Sequence, residues 1–236
     1  MGSTKKKSIL RSRDSICKFC NKGFSSEKTL AAHMCPKKRR YADKDLVGSR
    51  LGFRIFQQFY EMNTKSTTPK TVMDFIFSRH YTGFVKFARY LVDLHPLDSD
   101  RFINHVIKNG FKMKEWTKPD VYEKWLNEHL RKEPARAALE RGIITLDDWA
   151  SKNNCSFTDF FSQVSTVEAV YLIRSGKISP WIIYISNSSS ELLSRFNDEQ
   201  SKMLAPILSS NLWSFVFNKR VDDVKYVSQI LSEAGL

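Results

Sequence analysis

The stretch CKFCNKGFSSEKTLAAHMC, residues 17–35, gathers three of the chain's four cysteines and sets His33 between the second and third of them. A Cys-x-x-Cys pair in a tight turn, followed after twelve residues by a third donor on a helix, is a spacing with which small modules hold zinc. The fourth donor at hand is Cys35, two residues beyond His33. Residues i and i+2 on a helix point to nearly opposite sides, so both can meet one ion only if the helix ends by about Met34. Pro36 agrees with such an ending, because the residue before a proline avoids helical geometry. Cys17, Cys20, His33 and Cys35 are therefore the expected Zn2+ ligands, with a reduced thiol cluster lacking metal as the competing reading.

Phe24 and Leu30 extend the pattern to Cys-x3-Phe-x5-Leu-x2-His. In every position up to His33 this resembles the C2H2 zinc-finger family. That family places a second histidine about three to five residues after the first. Here positions 37 and 38 are Lys37 and Lys38, so the resemblance is to a C2HC variant. It implies a ββα module, with a short hairpin around Cys17 to Phe24 and a helix from about Ser26 to Met34. Phe24 and Leu30 would form a miniature core too small to fold without the metal. It also implies that Ser26, Lys28, Thr29 and Ala32 face base edges. None of these is arginine, the strongest reader of guanine, and Ala32 offers no hydrogen bond. One finger covers only about three base pairs. The implied mode is a grip on the nucleic-acid backbone with weak sequence preference, DNA being favoured over RNA. A finger that docks on protein is the alternative.

Charge supports a polyanion partner. The net charge is +13, of which residues 1–42 carry +10 and the remaining 194 residues only +3. Lys5, Lys6, Lys7, Arg11 and Arg13 form a basic arm over residues 1–13, without apolar periodicity. Lys18 and Lys22 lie within the finger, and Lys37, Lys38, Arg39 and Arg40 follow it directly. With Lys28 these are the expected phosphate contacts. Pro36 to Arg40 also resembles a nuclear-localisation segment, and its plainest reading is a solvated basic linker.

Beyond Asp43 the pattern becomes that of amphipathic helices. Leu51, Ile55 and Phe59 recur at four-residue steps, predicting a helix to about Asn63. A break follows at 64–69, then a helical region over about Lys70 to Leu94 with Phe75, Ile76, Phe84, Phe87, Leu91 and Val92 as core candidates. Shorter helices are expected from Ser99 to Gly110, from Pro119 to Glu133, and from Pro134 to a stop at Gly142. A new start at Thr145 follows. Further helices are expected before Gly176, after Asn197 and over about Asp222 to Ala234. Residues 178–186 suit either a buried strand or a helix begun at Ser179-Pro180. The five tryptophans fall at helix positions that favour a core. Tyr41 near Arg39 and Arg40, and Phe53 beside Arg54, have the composition of base-stacking pairs, but core rings beside solvated charges are the simpler reading. The expected organisation is a basic arm (1–13), a C2HC finger (14–41) and a mainly α, all-helical globular domain (42–236).

No phosphate-binding glycine loop, His-Glu-x-x-His helix or nucleophile elbow is present. His80, His95, His105 and His129 are scattered, and Cys155 stands alone. Asp222-Asp223-Val-Lys225, and Asp120 with Glu123, hold fragments of a nuclease carboxylate pattern at the wrong spacing. No run of eighteen apolar residues and no apolar leader segment occurs, so neither a membrane partner nor secretion is expected. The finger-to-helix run and the Ser-Pro-Trp segment are similar to uncharacterised tailed-bacteriophage zinc-finger proteins. That resemblance implies the cytoplasm of an infected bacterial cell; a eukaryotic source would imply the nucleus. The expected function is a non-enzymatic nucleic-acid-binding protein that grips phosphates, in a phage DNA transaction or in transcription. The helical domain would bind a protein partner or more nucleic acid. The alternatives are an adaptor whose finger docks on a polymerase or its regulator, and a metal-dependent nuclease.

Overall fold

The computed structural model describes residues 15–64 and 68–236. They are mainly α-helical and fall into two compact units. The first comprises residues up to Leu94 with Gly110–Lys114, and the second His95–Asn109 with Glu115–Leu236.

In the first unit α1 (Glu27–Ala32) and α2 (Pro36–Ala42) follow the ligand turn, and α3 (Val47–Asn63), α4 (Val72–Phe77) and α5 (Tyr81–Leu94) form the body. The expected β-hairpin is reduced to a single antiparallel bridge between Ile16 and Gly23, and no strand occurs among the described residues. The reason is local. The six residues between Ile16 and Gly23 are taken up by the turn that carries both cysteines, leaving no length for a ladder. The helix expected over 70–94 is two helices, because Ser78 ends α4 in extended conformation and its hydroxyl accepts the His80 amide. Val92, expected in the core, is 38% exposed. Phe56, Phe75 and Phe84 form the aromatic centre, with rings 5.3 to 6.4 Å apart and tilted or edge-on, the arrangement aromatic quadrupoles favour.

The second unit holds α6 (Ser99–Lys108), α7 (Pro119–Lys132), α8 (Ala135–Asn153), α9 (Phe160–Gln163), α10 (Thr166–Arg174), α11 (Pro180–Ile185), α12 (Ser189–Ser194), α13 (Asp198–Leu204), α14 (Ser210–Lys219) and α15 (Val221–Glu233). All five tryptophans lie here and are buried. Gly142 does not end a helix. It sits inside α8, where a Cβ would lie 1.9 Å from Ile182 Cδ1, so its bareness serves the packing of α11 on α8. Residues 180–185 are helical, with Ser179 as N-cap and Pro180 in the first turn.

Glu133, at the end of α7, is 2% exposed. Its carboxylate accepts two 2.8 Å hydrogen bonds from Arg141 and one of 3.1 Å from Ser179 Oγ. Its carbonyl accepts from Arg220, whose guanidinium also lies over the Trp181 ring. Glu133 thereby ties α7 to α8 and α11 through its carboxylate and to the start of α15 through its carbonyl. Replacing Arg141 by leucine leaves that charge unpaired, and we expect a loss of about 3–5 kcal/mol in urea unfolding followed by tryptophan emission. Glu133→Gln/Arg141→Leu should recover part of it; equal midpoints for wild type and Arg141→Leu would remove the carboxylate from its structural role.

Burial holds the imidazoles of His105 and His129 below the usual histidine value. The unfolded chain takes up protons that the folded unit refuses. Stability from these groups is thus fully present above about pH 6.5 and is lost as pH falls below it. Urea midpoints read by tryptophan emission should fall between about pH 7.5 and about pH 5.5, with a smaller fall in His129→Gln.

Candidate metal centre

The first half of the centre is a turn. The Cys17 amide donates to the Lys22 carbonyl at 2.9 Å and the Asn21 amide to the Cys17 carbonyl at 2.8 Å. Asn21 takes the left-handed conformation, φ 57°, that closes the turn, and asparagine is one of the few residues that tolerates it. Phe24 then pairs with Ser15 through its amide, and the chain passes to α1. Ser26 caps that helix in a reciprocal capping box with Thr29.

The helix stops at Ala32. His33 is its C-cap in extended conformation (φ −69°, ψ 125°), and Cys35 is extended as well. Side chains two apart on extended backbone point to the same side, whereas on a helix they would diverge. His33 and Cys35 therefore converge, and the residue between them, Met34, faces away and is 52% exposed. The stop falls two residues earlier than the expected limit at Met34. Pro36, expected to punctuate the helix end, also opens the next helix as its first residue. Cys35 serves that helix as N-cap, its Sγ accepting the Lys38 amide at 3.4 Å.

The four donor atoms of Cys17, Cys20, His33 and Cys35 lie within 4.8 Å of one another. Cys17 Sγ and Cys35 Sγ are 4.0 Å apart, and Cys20 Sγ and His33 Nε2 are 3.3 Å apart. Tetrahedral zinc with its usual bond lengths needs edges of roughly 3.6–3.8 Å. Three thiols and an imidazole at these separations fit such an ion with small adjustments, and none of the cysteines is in a disulfide. Bound metal would serve as a cross-link between the turn and the segment after α1.

Electrostatics point the same way. Burial would raise the Cys17 thiol, but hydrogen bonds from the Phe19 and Cys20 amides and the neighbouring cysteines bring it below the ordinary value. At Cys20 the Lys22 amide favours the thiolate, yet desolvation and the sulfurs of Cys17 and Cys35 push the thiol up. Sulfurs this close do not ionise together without a cation between them.

The core of the centre is Cys17, Phe19 and Cys35, with Phe24 and Leu30 packed on it. Phe19 was not singled out by the finger spacing. It is 5% exposed and sits 5.3 Å from the Tyr41 ring, so it joins the turn to α2.

Pro36 to Arg40 is helical, and its cations divide between two tasks. Lys38 Nζ donates to the carbonyls of Ala31 and His33, closing the end of α1. Lys37 lies 4.4 Å from the centre of the Phe77 ring. Arg40 donates to the carbonyls of Ile76 and Ser78 and stacks over Tyr81 at 4.5 Å. Lys37 and Arg40 thereby pin the metal centre to α4 and α5. Arg39, with Lys18, Lys22 and Lys28, is exposed. Ser26 and Thr29 are exposed but hydrogen-bond each other within the capping box. Lys5, Lys6, Lys7, Arg11 and Arg13 lie outside the described residues. Sequence periodicity carries no signal for the Arg40 contacts, since they join residues 36 and 38 positions apart.

Chelation of the metal is expected to loosen residues 15–35 and open Lys18, Lys22 and Lys28 to trypsin, while tryptophan emission from the second unit stays unchanged. Cys35→Ser should weaken zinc binding by more than about a hundredfold in competition with a chromophoric chelator, beyond what loss of an outer hydrogen bond costs. Cys155→Ser should bind as wild type; equal affinity for both variants would remove Cys35 from the ligand set. Comparison of the chain with protein-family models, with curated proteins and with solved structures found no match.

Proposed function

We propose that the protein binds nucleic acid, DNA in preference to RNA, through a zinc-bound C2HC finger that grips phosphates with little reading of sequence. The observation that carries this is the charge around the centre. Lys18, Lys22, Lys28 and Arg39 are exposed, and Glu27 is the one acidic residue between positions 15 and 42. Cations held on a small rigid frame release counterions from a phosphate backbone when they dock. The low specificity follows from the finger helix. Ser26 and Thr29 hydrogen-bond each other, Ala32 has no donor, and Lys28 is left as the polar group able to reach a base.

Lys37, Lys38 and Arg40 act in this reading as the mount of the finger and not as its main phosphate contacts. The helical second unit then carries the protein's other interactions, in a DNA transaction or in transcription. The zinc is structural, and no catalytic step is assigned to it.

The test is fluorescence anisotropy of a labelled duplex with the full, zinc-loaded chain over a range of salt. Affinity should fall steeply with salt and change little with sequence. Lys22→Gln and Arg39→Gln should each lower the slope of log affinity against log salt by about one, while Lys37→Gln should leave it nearly unchanged. Cys17→Ser should abolish most binding. Salt-independent binding, or none, would reassign the finger to docking on another protein.

A further inference from the structure

Beside the metal centre, a cleft of about 480 Å³ opens between α2, α3 and α4. The volume falls within the roughly 300–1,000 Å³ of sites that enclose a small organic ligand. Phe75 and Ile76, both buried, line it, and the rings of Tyr41 and Phe53 are partly open to it. Arg40, Lys44 and Arg50 also line it. Arg40 is held by backbone carbonyls, and Lys44 is paired with Asp45 at 2.6 Å. The Arg50 side chain is exposed and makes no hydrogen bond or ion pair among the described residues.

A second depression, of about 300 Å³, adjoins this cleft, and Arg40, Ser49 and Tyr81 line both. It adds Arg39 and Arg89, each exposed and likewise without a partner among the described residues. Asp43 is its one acidic member. An aromatic slot thus carries an unpaired cation, Arg50, in its own lining, and two more, Arg39 and Arg89, line the hollow that adjoins it.

We propose that this paired cleft binds single-stranded nucleic acid, one unpaired base stacking on Tyr41 and Phe53 while the flanking phosphates lie on Arg50 and on Arg39 and Arg89. The inference rests on the nucleic-acid reading above and adds to it an adjoining site that shares Arg39. The ligand follows from the chemistry. A flat ring with an anion on each side is the repeating unit of a polynucleotide, and stacking tolerates any base because every base has a π-face. A paired base in a duplex has no free face to offer the slot, so the cleft selects single strands where the finger does not. Unpaired cations in two adjoining hollows, with an aromatic slot in one of them, favour a strand that alternates rings and phosphates.

The experiment measures anisotropy of a labelled short oligothymidylate and of a duplex of matching length, with the full zinc-loaded chain. The chains compared are wild type, Phe53→Leu, Tyr41→Leu and Arg50→Gln, each with zinc content and melting midpoint checked. Phe53→Leu should weaken oligothymidylate binding roughly tenfold and leave the duplex unaffected, and Tyr41→Leu should weaken oligothymidylate binding as much. Arg50→Gln, at an exposed side chain with no hydrogen bond or ion pair to lose, should weaken oligothymidylate binding several-fold and lower its salt slope by about one. If the wild type binds the duplex and all three variants hold oligothymidylate as tightly as it does, the cleft proposal falls and the finger reading stands. If the wild type binds neither probe, the finger reading falls and this proposal falls with it. Binding of a labelled glutamate–tyrosine copolymer that Phe53→Leu and Arg50→Gln weaken, with oligothymidylate left unbound, would give the cleft to a peptide and overturn the proposal.

Discussion

Two donors two residues apart, His33 and Cys35, must reach the same point in space, and that requirement shapes the whole first unit. A helix would send them to opposite sides, so the chain leaves α1 at Ala32 and stays extended through Cys35. The extended segment turns Met34 outward and brings Cys35 to the start of a new helix, where its sulfur also accepts a backbone amide. The close spacing thus produces a second helix immediately after the first. Lys38 on that helix reaches back to the carbonyls left open at the end of α1. Ligand geometry and helix capping are satisfied by the same few residues.

That second helix changes what a run of basic residues means. Lys37, Lys38 and Arg40 are drawn to a ring face and to backbone carbonyls, whose partial negative charge offers cations good partners away from bulk water. The 3.6-residue period of α2 leaves Arg39 pointing outward between them. A cluster that would neutralise four phosphates if extended instead mounts the metal centre on α4 and α5 and presents one free arginine. The same helix, with α3 and α4, walls the aromatic cleft, so the mount of the finger is also a wall of the site inferred beside it.

The second unit depends on a different device. Its short helices would pack in many ways on apolar surface alone. The Glu133 carboxylate, buried and bound by Arg141 and Ser179, tolerates few arrangements, because each alternative leaves a charge without partners. Gly142 adds a steric condition of the same kind, leaving room for the end of the Ile182 side chain, which a Cβ there would displace.

Much of this was legible in the chain itself. Cys-x-x-Cys, twelve residues, then His-x-Cys names the four donors, because metal coordination demands particular atoms and the chain between them can span only short distances. Helix limits at Pro119, Gly176 and Asn197 were legible too, since capping and left-handed glycine act within a few residues. The hairpin was not, because the turn that carries the cysteines left no room for strands. Nor was the continuity of α8 through Gly142, where the glycine answers to a side chain forty positions away. Sequence alone determined the identity of the donors and the mainly α character, both properties of local spacing and period. Tertiary structure decided which cations are free and which rings line a cleft, because a lysine or arginine is claimed by whichever carbonyl, carboxylate or ring the fold brings to it.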